Sequence, residues 1–134
     1  MTFSLDVSEW IRYAQMDYNA AKNMSILHNP VPLEIVCYHC QQSAEKIPKA
    51  FALAKGEPLI KTHDLRVLIA QCTKHDEAFN SLSEACSSLN DYAVITRYPI
   101  GEDAVNEHDM NKALENAAEV LEFTKVKLVE LGHK

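Results

Sequence analysis

Apolar residues recur at three- and four-residue steps through nearly the whole of this chain, and only three glycines, at 56, 101 and 132, interrupt it. That spacing lines up apolar side chains along one side of a helix, and little in the pattern competes for strands. All five segments read as α. Five prolines and the polar clusters between the apolar runs supply start and stop signals.

The first helix should start near Asp6, whose carboxylate can accept from a free backbone N–H while Glu9 reaches back in a capping box, and run to about His28. Its inward stripe is Trp10, Tyr13, Ala14, Asp17, Ala20, Ala21, Met24 and Leu27. In the second, Asn29 is placed to cap, Pro30 to occupy the first turn and Gly56 to close. Pro48 falls inside that helix, where it should remove one hydrogen bond to Ala44 and introduce a kink. Thr62 is placed to cap a short third helix whose first turn holds His63 and Asp64. Asp76 can open a fourth, with core positions Phe79, Leu82, Cys86, Leu89 and Ala93. A loop from about Thr96 to Asn106 leads to a last helix with the stripe Met110, Ala113, Leu114, Ala117, Leu121, Thr124, Leu128 and Leu131. Long helices on short connections pack antiparallel. The expected fold is therefore all-α, an antiparallel up-and-down bundle of four long helices plus one short one, with residues 1–134 as one domain.

Thirteen Lys and Arg against nineteen Asp and Glu leave a formal charge of −6, so the molecule as a whole repels phosphate polymers unless its cations are concentrated. From Glu45 to Arg66 they are: Lys46, Lys49, Lys55, Lys61 and Arg66 stand against Glu45, Glu57 and Asp64. A small anion would be drawn there. From Glu102 onward acids dominate instead. No apolar run approaches the roughly 18 residues of a membrane span, and the first ten residues lack the features of a secretory signal, which together point to the cytoplasm and to reduced thiols. Cys37 and Cys40 form a CxxC without the second pair a structural zinc site needs, so no metal is expected. Neither a P-loop nor a Rossmann fingerprint can be written with these glycines, and no cofactor is expected.

Asp17 is the anomaly of the first helix, because an ionised carboxylate in an apolar stripe is costly unless cations or donors meet it. Its candidate partners are His39, Lys46 and Arg97. On the second helix His39, Gln42, Glu45, Lys46 and Lys49 line a polar face beside the apolar one. With Tyr92, several of these residues can form a structural network that sets helix register.

Three blocks carry a resemblance: Cys40-Gln41-Gln42-Ser43-Ala44-Glu45-Lys46 with Lys49-Ala50; Lys61-Thr62-His63-Asp64-Leu65; and Leu89-Asn90 and Tyr92 with Thr96-Arg97-Tyr98-Pro99. Together with Trp10, Ala14, Asp17 and Ala21, their order resembles the HEPN domain family over nearly the whole chain. The resemblance implies a bundle that usually forms a homodimer and is often encoded beside a minimal nucleotidyltransferase, as one half of a toxin–antitoxin pair. Some relatives cut RNA with an Arg followed four to six residues later by a His. Here the residues after Arg97 at that spacing are not histidine, and the next one is His108.

The leading expectation is therefore a non-catalytic domain in which Lys46, Lys49, His63 and Arg97 meet a nucleotide or RNA phosphate, Tyr98 or Tyr92 offers a ring to a base, and the bundle docks a nucleotidyltransferase. The alternatives are a metal-independent ribonuclease using Arg97 with His108 or with His63, and a purely structural dimerisation module.

Overall fold

Asp6 and Glu9 close the start of the first helix reciprocally: Asp6 Oδ1 accepts from Glu9 N at 2.8 Å, and Glu9 Oε1 accepts from Asp6 N at 3.1 Å. The computed structural model describes residues 5–94 and 104–133, which contain no strand. Helix α1 spans Val7–Leu27, α2 Leu33–Ala54, α3 Leu65–Thr73, α4 Ser83–Leu89 and α5 Glu107–Glu130, with 3₁₀ turns at Glu77–Leu82 and Asn90–Tyr92 on either side of α4. None of these helices is long and apolar enough to cross a membrane.

Two starts differ from the sequence expectation. Helix α2 begins at Leu33 rather than after Asn29. The reason is Pro32, which holds Val31 before it out of the α region, so the chain cannot turn helical until both prolines are passed. Helix α3 is capped by Asp64 and not by Thr62, which leaves His63 ahead of the helix; the Thr62 hydroxyl accepts instead from Asp64 N at 3.0 Å. The fourth segment is helical from 77 to 92, opened by Asp76 as expected, but only its middle is α. Helix α2 continues past Pro48 to Ala54, and the Pro48 carbonyl accepts from the buried Cys72 thiol at 3.5 Å. Gly56 ends it with a φ of +80°, a conformation that lacks the Cβ penalty only for glycine.

The long helices run up and down. Along α1 and α2, Trp10 faces Lys49, Ala14 faces Ser43 and Asp17 faces His39, so residue numbers rise on one helix as they fall on the other. The fourth segment and α5 do the same, with Asp76 on Lys127, Phe79 on Phe123, and Tyr92 in one cleft with His108. Helix α2 is the central rod: it packs most extensively on α1 and α5, and twelve of its 22 residues are buried. Phe79, fully buried, joins α2 to α5 through ring contacts to Phe51 at 4.5 Å and Phe123 at 5.1 Å between centroids. Leu27 and Leu131, which the periodicity places inside, are exposed because each stands at a helix end beyond its packing partners.

Candidate functional site

Polar side chains recur along α2 at helical spacing, and burial of the opposite face forces that polar arc toward α1 and the connection before α3. His39, Gln41, Gln42, Glu45, Lys46 and Lys49 therefore share one edge of the rod. Glu45 is its centre. Only 5% exposed, it takes Lys49 Nζ at 3.2 Å on one oxygen and His63 Nδ1 at 2.8 Å on the other, which also accepts from Gln41 Nε2 at 3.3 Å. A buried carboxylate needs this company, because losing water costs several kcal/mol unless cations and donors replace it. Lys49 in turn lies 5.5 Å from the centre of the Trp10 ring, within cation–π range.

Gln41, fully buried, ties the edge to the loop: its Nε2 also donates to the His63 carbonyl at 3.2 Å, and its Oε1 accepts from Gln42 Nε2 at 2.8 Å. One turn away, Asp17 is met by His39 Nδ1 at 3.0 Å and, on its second oxygen, by Lys46 Nζ. Two of the three partners the sequence offered to Asp17 are thus in place. The third, Arg97, lies outside the described residues together with Tyr98.

Below His63 the chain enters α3 through a second polar knot. Asp64 Oδ1 accepts from Arg66 N at 3.0 Å, Arg66 Nε at 3.1 Å and Asn90 Nδ2 at 2.9 Å, while Arg66 Nη2 reaches Oδ2 at 3.1 Å. Asn90 Oδ1 in turn accepts from Leu65 N at 2.9 Å. The Arg66 guanidinium, then the Asn90 amide, hold the Asp64 carboxyl well below the usual carboxylate range. Because its folded value is depressed, Asp64 contributes stability in full above the unfolded carboxylate value near 4 and loses it as pH falls. Asp64→Ala should therefore cost about 1 kcal/mol at pH 7, the ordinary worth of a helix cap, and the gap to wild type should close as urea melts are repeated towards pH 3.

Of the expected phosphate contacts, Lys46, Lys49 and His63 lie along one edge, but each faces a carboxylate. Lys46 is held by Asp17, and Lys49 and His63 share Glu45. Only the His63 side chain is widely open, at 75% exposure, against 24% for Lys46 and 12% for Lys49. His108 stands in the first turn of α5 in another cleft, with Asp91, Tyr92 and Asp109. Tyr92 is also separate from the Asp17 and Glu45 clusters: it reaches the Cys37 thiol, and burial pushes its hydroxyl up to about 12. Burial likewise pushes the Cys37 thiol up to about 12 and raises that of Cys40, so both thiols stay protonated at neutral pH. Gln41 and Asn90 complete the polar edge and were not singled out as site residues. Both stand in the blocks that carry the family resemblance; Gln41 also has its four-residue spacing to Glu45, whereas the partner of Asn90 lies 25 residues away in sequence.

The fold is that of a small all-α helical-bundle domain. The chain belongs to the HEPN domain family, whose domain model matches residues 7–127. Among solved structures it is similar to TT1696 from Thermus thermophilus, with a TM-score of 0.77 and 25% identity over 91% of this chain and 98% of that one. It also shares its fold with ST0689, an archaeal HEPN homologue, with a TM-score of 0.74 and 20% identity over 93% and 99% of the two chains. No curated protein matches it.

Proposed function

We propose that this HEPN domain binds a nucleotide or RNA phosphate along the polar edge of α2 and serves as an interaction domain, docking a minimal nucleotidyltransferase in a toxin–antitoxin-type pair. The observation that carries the phosphate reading is the unequal pairing at Glu45, where one buried carboxylate faces both Lys49 and His63. Glu45 fixes the His63 ring through Nδ1 and leaves its outer edge open, where the second ring nitrogen can meet a phosphate oxygen beside the Lys49 charge. Lys46 stands one turn away; Arg97 and Tyr98, outside the described residues, are the further cation and the ring that this reading assigns to the ligand.

Isothermal titration at low salt with ATP, GTP and a short single-stranded RNA tests this reading. Binding should weaken about tenfold in His63→Ala, the loss of one charge-assisted hydrogen bond. No heat with any of the three ligands removes the phosphate half and leaves docking, which co-purification with a nucleotidyltransferase encoded beside it would check.

The lysine pairing favours a second reading, in which these residues fix helix register in a structural dimerisation module. Under it, Lys46→Met lowers stability and leaves every titration unchanged.

A further inference from the structure

The hydrogen bonds around His63 fix which of its ring nitrogens carries a hydrogen, because each neighbour can play only one role. Gln41 Nε2 faces two acceptors, Glu45 Oε1 at 3.3 Å and the His63 carbonyl at 3.2 Å, which settles that amide as the donor. Glu45 therefore accepts from Gln41 on one oxygen and from the Lys49 ammonium, 3.2 Å away, on the other, the pattern of an ionised carboxylate. An ionised carboxylate only accepts, so His63 Nδ1, 2.8 Å from Glu45 Oε1, holds a hydrogen. In the neutral ring the other nitrogen, Nε2, then bears a lone pair. No described residue hydrogen-bonds it, and the side chain is open to solvent.

From this we infer that a phosphate bound at His63 is bound together with one proton, taken from solvent onto Nε2; the inference rests on the phosphate reading of this edge and makes its affinity a function of pH. A phosphate oxygen and the Nε2 lone pair repel, and moving the hydrogen from Nδ1 to Nε2 would set a lone pair against Glu45 instead. Only the imidazolium donates to both. Charge acts in the same direction. With neutral imidazoles Lys46 and Lys49 are cancelled by Asp17 and Glu45, so the two clusters carry no net charge for an anion until a proton arrives. Glu45, with Lys49 on its far oxygen, is the charged group against the ring. Asp64, next in the chain, is turned into its knot with Arg66 and Asn90, and Asp17, His39 and Lys46 form the cluster one turn along α2. His39 repeats the arrangement on Asp17, but with far less of its side chain open to solvent.

Calorimetry on the full chain with a single-stranded RNA hexamer lacking terminal phosphates tests this, because its phosphodiesters stay singly charged from pH 6 to 8.5. Between pH 7.5 and 8.5 the dissociation constant should rise about tenfold, the slope for one linked proton. At pH 8 the heats in Tris and in HEPES should differ by the two buffers' ionisation enthalpies for about one proton. His63→Gln supplies a neutral amide donor that needs no proton, so it should bind more weakly than wild type at pH 6 and change by less than about twofold up to pH 8.5. Ring ¹⁵N spectra of His63 at pH 8.5, without RNA, should show the hydrogen on Nδ1. The inference is overturned if RNA binds the wild type equally at pH 6 and 8.5, if His63→Gln takes up as many protons as wild type, or if the ring hydrogen is on Nε2. Those results leave the phosphate reading standing, whereas no heat with RNA at any pH from 6 to 8.5 removes that reading and this inference with it.

Discussion

Glu45→Ala should lower the unfolding free energy by about 3 kcal/mol, the usual cost of leaving one member of a buried ion pair without its partner. Glu45 is almost fully enclosed and Lys49 is 12% exposed, so the ammonium cannot reach water without leaving the Trp10 ring. Gln41 loses one of its two acceptors, and the His63 ring loses its anchor. Urea denaturation followed by circular dichroism reads the change directly. The sharper measurement is the pair Glu45→Met with Lys49→Met, which removes both charges and should recover most of the loss, since apolar isosteres of a buried pair are close to neutral. If Glu45→Ala costs under about 1 kcal/mol, the lysine finds water on its own and the carboxylate does not organise this edge.

Phe79→Ala should cost more still, about 3–5 kcal/mol, because it removes a fully buried ring and leaves a cavity between Phe51 and Phe123. Small domains have roughly 5–15 kcal/mol in total, so this variant sits near the limit of folding. Phe79→Leu fills part of the space and should lose less than half as much. Equal losses in the two variants would mean that ring stacking, rather than volume, holds α2 to α5.

The helices and their inward faces were legible in the sequence because they depend on residues three and four apart. The capping box of Asp6 and Glu9 and the burial of Val36, Cys40, Ala44 and Ile47 are local in this sense. The starts of α2 and α3 were misplaced where two local rules compete: Asn29 and Thr62 are good caps, but Pro32 forbids helix before it and Asp64 offers a carboxylate already fixed by Arg66 and Asn90. The site was legible in part. That Asp17 required partners follows from desolvation alone, and His39 and Lys46 are there. That Lys49 and His63 share one carboxylate depends on how the loop folds back over 18 residues, which spacing does not encode.

The fourth segment changes helix type twice within sixteen residues, from Glu77 to Tyr92, while α1, α2 and α5 are each one uninterrupted rod. Bonds of the i to i+3 kind are poorer in geometry than those of an α-helix and are rarely sustained. Its amides should therefore exchange with deuterium sooner than those of its neighbours, while Phe79, Leu82, Cys86 and Leu89 keep the segment anchored in the core.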